Sequence, residues 1–245
     1  MRTILPSVTT IGIQGSSWVS KLLEVEAFGI RRFSLFVTGL SIEERKRCFQ
    51  KLIEMKSRFD FQIPFVHAVS SMTNDEFLFL MQEMGTEYFN THPSRQYPLE
   101  HKLSKEVMER LLVENSGPGC LSESDLEGFG GICFDLTHVQ DAKVQDIAAY
   151  EQLIELSKKF PVHANHMSAF GLVKKGNTIQ AKSKHYLDEV EEVNYLNETV
   201  PTMLGQFLAI ELENSIAEQI QLKPLIEETI RGVETQSLED IQDAA

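Results

Sequence analysis

Six short apolar segments of this chain each end in a side chain that can move a proton or hold a metal. His67 closes FQIPFV, His92 closes TEYFNT, Glu114 closes RLLV, Asp135 and His138 close GICF, His163 and His166 close FPV, and Glu211 closes FLAI. One histidine in such a place is an ordinary hydrogen-bonded core or rim residue. Six coincidences carry more weight, because Asp and Glu are rarely buried without partners. A metal cation is the natural compensating charge, and mixed carboxylate and imidazole ligands suit Zn, Mn, Fe or Co rather than a thiolate-loving ion. Residues three apart on a regular strand face opposite ways, so Asp135 and His138 reach one site only if the strand ends near Asp135 and the chain curls inward. The same argument applied to His163 and His166 favours His163, which lies nearer the apolar stretch. Other chemistries find no footing: there is no G-x-S-x-G, CxxC or HExxH, and Cys133 lies inside an apolar run.

The elements that must carry these side chains alternate between short strands and longer amphipathic segments. Strands are expected at 9–15, 31–39, 61–71, 86–95, within 103–119 after a helical turn, at 131–138, 160–168 and 207–214. Helices are expected at 16–29, 41–59 (Ser41 and Glu44 in capping-box spacing), 74–85, 121–130, 145–159, about 186–199, and after the last strand. A polar loop with Lys174, Lys175, Lys182 and Lys184 precedes 186–199, and the acidic tail from about 234 is expected to fray. Eight strand–helix units of roughly 30 residues imply a parallel sheet and an α/β, single-domain (β/α)8 TIM barrel over 1–245. The runner-up is a doubly wound open sheet, but IGIQGSSW after the first strand is no G-x-G-x-x-G fingerprint. In a TIM barrel all strand C-termini open onto one face, where the six endings converge.

Composition narrows the function classes. The chain has 245 residues, 23 Lys+Arg, 36 Asp+Glu and a formal net charge of −13, a balance that disfavours a phosphate-tracking surface. Nucleic acid is therefore not an expected partner. No apolar run approaches the roughly 20 residues needed to span a bilayer, and the N-terminal segment does not read as a signal peptide. Three cysteines, an odd and sparse set, predict no disulfide framework and a cytoplasmic location. Trp18 and the 15 phenylalanines are expected to be packing residues.

The segments VHAVS (66–70), NTHPSR (90–95), LLVENSGPG (111–119), GICFDLTH (131–138), VHANHMS (162–168) and LAIELEN (208–214) resemble those of the xylose isomerase-like TIM barrels. That superfamily includes sugar isomerases and epimerases and the endonuclease IV type of apurinic-site nuclease. The resemblance runs from about the third strand to the eighth. It implies a divalent metal (Mn, Zn, Co or Mg) on Glu114, Asp135, His163 and Glu211, with Glu114 and Glu211 also acting as the acid/base pair and His138 touching substrate. In the nuclease-like members His67 and His92 would join Glu114 around a second metal, and His138 with His185 would serve a third. Here the chain departs: it reads Ser183-Lys184-His185 where the nuclease has Asp-x-His, and His166 replaces the usual Asp. Glu213 is a rival to Glu211 two residues further on.

Three readings follow. The first is a divalent-metal-dependent isomerase or epimerase of a small sugar or sugar phosphate, in which the two glutamates move the proton. Arg95, Lys182 and Lys184 would hold a phosphate, with His138, His166 and His185 also facing substrate. The second is a metal-dependent phosphodiester hydrolase acting at abasic sites. The third is a barrel without catalysis, used for binding. The expected partner is a small carbohydrate-like molecule, with no membrane, and a homo-oligomer is left open.

Overall fold

Pro6 shapes how the sheet closes. The computed structural model describes residues 2–11, 15–117, 121–175 and 178–243. Its first strand has two halves, β1 (Thr3–Leu5) and β2 (Ser7–Thr9), either side of a proline that has no N–H to give to a ladder. β1 pairs in parallel with the last strand of the barrel, β11 (Phe207–Ile210), whereas β2 pairs in parallel with β3 (Ser34–Phe36). Between these run β4 (Phe65–His67), β5 (Tyr88–Thr91), β6 (Leu111–Glu114), β7 (Gly131–Asp135) and β8 (Val162–Met167). The order is β1-β11-β8-β7-β6-β5-β4-β3-β2, all parallel, so the two halves of one strand complete the ring. This is the TIM barrel expected from the alternation.

The helices on the outside are α1 (Trp18–Ala27), α2 (Ile42–Lys56), α3 (Asn74–Met84), α4 (Lys105–Met108), α5 (Leu136–Gln145), α6 (Ile147–Lys159) and α7 (Ile216–Asp243). Their starts follow local chemistry: Ser41 with Glu44 and Thr73 with Glu76 form reciprocal capping boxes, and Gly85 ends α3 at φ 70°. Among the described residues, no helix is long and apolar enough to cross a membrane.

Several expected elements are corrected. The first strand is seen at residues 3–9, where TIL and SVT supply the β-branched run, and residues 12–14 of the expected strand 9–15 lie outside the described residues. Gly15 instead packs so tightly on the Glu213 carbonyl that a Cβ there would lie 1.6 Å from the oxygen. The lysine-bearing polar loop is an antiparallel hairpin, β9 (Ala169–Lys175) with β10 (Thr178–Lys184), consistent with a Gly-Asn pair between two seven-residue stretches. Short 3₁₀ segments, Glu123–Asp125 and Val190–Glu198, stand where helices were expected at 121–130 and 186–199. α5 begins directly after β7, and α7 runs from Ile216 to Asp243. Cys48 and Cys133 are free and buried, and Cys120 lies outside the described residues.

Inside the ring, Leu5, Phe36, Phe65, Leu112, Cys133, Ala164, Phe207 and Ala209 form an apolar plug. The upper part of the seam between the first and last strands is bridged by side chains. Gln219 of α7 accepts from Ser7 N at 2.7 Å and donates to the carbonyls of Ser7, Leu212 and Asn214. Lys21 of α1 donates to Thr9 Oγ1 at 2.6 Å and to the Leu212 carbonyl at 3.1 Å. Both are 0% exposed, and burial pushes the Lys21 ammonium down to about 8 although Glu213, Glu24 and Glu218 pull it back up.

Two outcomes follow from the seam. Gln219→Leu strands the Ser7 N–H and lowers unfolding free energy by about 2 kcal/mol in a urea titration, with an unchanged m value. Lys21 binds its proton less tightly when folded than its ordinary value of 10.5, so stability should rise as pH climbs from about 8 towards 10.5. Lys21→Met should remove that rise, and melting curves across the window check it.

Candidate metal centre

The plug and the chemistry are related by a step of two residues. His67, Asn90, Glu114, Asp135, His166 and Glu211 follow Phe65, Tyr88, Leu112, Cys133, Ala164 and Ala209 by two positions each. Successive strand side chains alternate, so a step of two keeps each on the inner face, one layer nearer the C-terminal mouth. The plug thus forms the floor, and the polar residues form the layer above it.

Glu114 is the hub. Its Oε2 accepts from Asn90 Nδ2 at 2.6 Å and lies 3.0 Å from His67 Nε2 and 3.5 Å from His166 Nδ1. Its Oε1 lies 3.9 Å from His92 Nε2. His166 Nδ1 is also 3.5 Å from Glu211 Oε2, which joins the end of β11 to the same cluster. Asp135 caps α5 by accepting at Oδ1 from the N–H groups of Thr137 and His138. Its Oδ2 lies 3.6 Å from His138 Nε2. The strand does end at Asp135, and the helix that follows brings His138 back on its first turn. Asn115 holds the Asp135 backbone from outside, accepting from its N–H at 2.7 Å and donating to its carbonyl. Ligand-capable atoms approach closely in three overlapping groups: His67, His92 and Glu114; His67, His166 and Glu211; Glu114, Asp135 and His166.

Charge sharpens the picture. Burial opposes ionisation of Glu114, but His166 and His67 outweigh it and hold the carboxyl well below its usual range. Glu211 is also lowered: burial raises it, and the His166 contact and the His185 charge overcome that. Asp135 goes the other way, raised chiefly by burial. His138 is pushed up to about 10, first by the Asp135 charge. His92 is lowered by burial.

A divalent metal fits these residues. His166 Nδ1 is buried, has no hydrogen-bond partner, and faces two carboxylate oxygens. His67 stands beside the same carboxylate, with Nδ1 3.1 Å from the Ala68 carbonyl and Nε2 3.0 Å from Glu114 Oε2. A tetrahedral ion with ligand bonds of about 2.0–2.2 Å spaces its donor atoms about 3.3–3.6 Å apart. The 3.5 Å from His166 Nδ1 to Glu114 and the 3.5 Å to Glu211 each match that spacing, and the two glutamates fall in different groups.

Several expected site residues lie elsewhere. His163 is not in the cluster. A register shift between Ile132 and Cys133 on β7 places it at the N-terminal end of β8, stacked on Tyr88 at 4.4 Å between ring centroids. His166, in step with the inward Ala164, takes the place expected of His163. Lys184 pairs with Asp188 and Glu192, and Arg95 donates to Asp125, so the phosphate grip expected of them is not assembled. Lys182 is exposed on β10, and the side chains of Lys174 and Lys175 lie outside the described residues. His185 flanks Glu211, with Nδ1 at 3.4 Å from its carbonyl, and the two line a small cavity with Thr9, Phe36 and Glu213. A larger cavity of about 260 Å³ at the mouth is bounded by Ile11, Thr38, Val69, Ser70, His92 and Tyr97. Asn90 was missed by sequence reasoning. Its signal was the two-residue step from Tyr88 inside TEYFNT.

The fold has a solved counterpart. This chain is similar to the IolI protein, whose crystal structure has a zinc atom bound, at 14% identity and a TM-score of 0.51 over 98% of this chain and 97% of that one. No protein-family model matches the sequence, and no curated protein sequence matches it.

The geometry separates two histidines by experiment. His166→Gln should weaken zinc binding by more than about tenfold in a calorimetric titration, whereas His163→Gln should leave it within about twofold. Equal losses in both variants would refute this placement.

Proposed function

We propose that this protein is a divalent-metal-dependent isomerase or epimerase of a small, carbohydrate-like hydroxy-carbonyl compound. One observation carries the reading: Glu114 and Glu211, on β6 and at the end of β11, both reach within 3.5 Å of the buried His166 Nδ1. Moving a hydrogen next to a carbonyl needs one group to take the proton and a second to return it, and two carboxylates facing one centre are suited to that exchange. Glu114, Asp135, His166 and Glu211 would hold the metal, with His67 beside them. When bound, the ion supplies Lewis acidity that makes the adjacent C–H easier to ionise. The zinc in the IolI structure supports the class of cofactor.

The chain's own residues then divide the work. His67 and Asn90 keep Glu114 ionised and in one orientation, so it is ready to accept a proton at Oε1, the oxygen nearer His92 and the mouth. Glu211 faces the opposite side of the cluster with His185 3.9 Å from its Oε1, and would relay the His185 proton to the substrate carbon while the proton taken by Glu114 is lost to solvent and His185 is reprotonated from it. The plug of Phe36, Phe65 and Phe207 excludes water from below. His138 and Tyr97 stand where substrate hydroxyls would pass. Arg95 and Lys184 are engaged with carboxylates, so an unphosphorylated substrate suits this mouth better than a sugar phosphate.

A second reading has its own observation. His67, His92 and Glu114 could hold another ion, which is the arrangement a phosphodiester hydrolase would need. Metal content and isotope exchange distinguish the two. The isomerase reading expects about one metal per chain, lost in Glu114→Gln. It also expects deuterium from D2O to enter a ketose or aldose next to the carbonyl, slowed at least about a hundredfold in Glu114→Gln and in Glu211→Gln. Two or three metals per chain with cleavage of abasic DNA would establish the hydrolase instead. Absence of metal after reconstitution with Mn, Zn and Co would exclude both.

A further inference from the structure

We infer that Asn90 is a positioning residue: it holds the proton of His166 on Nε2, and so makes Nδ1 the atom that binds metal. The argument starts from an amide whose two ends are different. Asn90 is 0% exposed on β5, and its carboxamide bridges Glu114 on β6 and His166 on β8. At 2.6 Å from Glu114 Oε2, only the NH2 end can face an ionised carboxylate, because the carbonyl end would set oxygen against oxygen. The Asn90 Oδ1 must therefore face His166 Nε2, 3.2 Å away. A carbonyl oxygen has no proton to give, so the proton in that contact belongs to Nε2.

The other ring nitrogen inherits the consequence. With Nε2 holding its proton against Asn90 Oδ1, Nδ1 is the ring nitrogen left to bind a metal. That atom is the one with no hydrogen-bond partner, 3.5 Å from a carboxylate oxygen of Glu114 and 3.5 Å from one of Glu211. Two carboxylates converging on that buried atom repel one another unless a positive charge, a proton or a metal ion, sits between them. The same Asn90 amide orients the Glu114 carboxylate through its NH2 end. One side chain thus sets the direction of one ligand and the tautomer of another, which is how partners outside the ligand set tune metal binding. Asn90 touches neither substrate nor metal in this account.

The inference rests on the proposed metal site, and its test separates the two. In metal-free wild-type protein, two-dimensional ¹⁵N–¹H spectra of the histidine rings, with His166 assigned from His166→Gln, should show a protonated Nε2. That holds whether or not Nδ1 also carries a proton. A bare Nε2 with the proton on Nδ1 would overturn the inference without any reference to metal. In the zinc-loaded protein the ring should show Nδ1 bound and Nε2 protonated, and ligation through Nε2 would overturn it equally. Asn90→Leu, which keeps the size and removes both amide ends, should let Nε2 lose its proton preference and weaken zinc binding by about 10- to 100-fold. Asn90→Ser provides a second, smaller replacement if the leucine variant fails to fold. Unchanged tautomer and affinity in a folded variant would refute the role of Asn90. If wild type shows the Nε2 proton but takes up no metal, the tautomer assignment stands and the metal reading falls.

Discussion

Three carboxylates, Glu114, Asp135 and Glu211, are brought into one buried layer at the mouth of the barrel, and their mutual repulsion governs what surrounds them. Removing an ion from water costs several kcal/mol even after relaxation, and like charges at this spacing add to the cost. Each acid is answered separately. Glu114 has Asn90 and His67, Glu211 has His166 and His185, and Asp135 has the N–H groups at the start of α5 and the raised His138. The phenylalanine plug beneath makes these answers necessary, since it denies the layer any water from below.

The large features were legible because they repeat. Eight short apolar runs alternating with amphipathic segments specify a parallel barrel, and a barrel must gather its strand ends on one face. Glu114, Asp135 and Glu211 could be picked out because each is the polar residue that ends an otherwise apolar run. His163 was chosen over His166 by nearness to the apolar stretch, whereas the inner face is set by parity along the strand. Ala164 and His166 share that parity and His163 does not, and the irregular pairing of β7 with β8 falls at His163. The sequence shows the alternation, but an irregular register depends on how the neighbouring strand is aligned.

Other features escaped for a similar reason. Pro6 splits a strand whose halves serve different neighbours, and nothing local distinguishes that from a strand beginning later. The lysines of the β9–β10 hairpin read as a polar loop able to hold a phosphate, and only the fold shows that Lys184 is paired with Asp188 and Glu192. Asn90 was missed because an asparagine in TEYFNT carries no charge. Its importance comes from lying between Glu114 and His166, which are 24 and 76 residues away in the chain.

The split first strand also dates the site within the life of the chain. β1 waits for β11, about two hundred residues later, before its outer edge is covered, and Glu211 sits immediately after that strand. Without β11 the remaining strands carry Glu114, Asp135 and His166 but lack both the strand that closes the ring and the carboxylate that follows it. Closure of the barrel and completion of the charged layer are therefore one event, driven by the pairing of Thr3, Ile4 and Leu5 with Phe207, Leu208 and Ala209. A nascent or partly unfolded chain cannot capture a cation in the full arrangement. A cation held by the full arrangement would therefore mark a closed barrel.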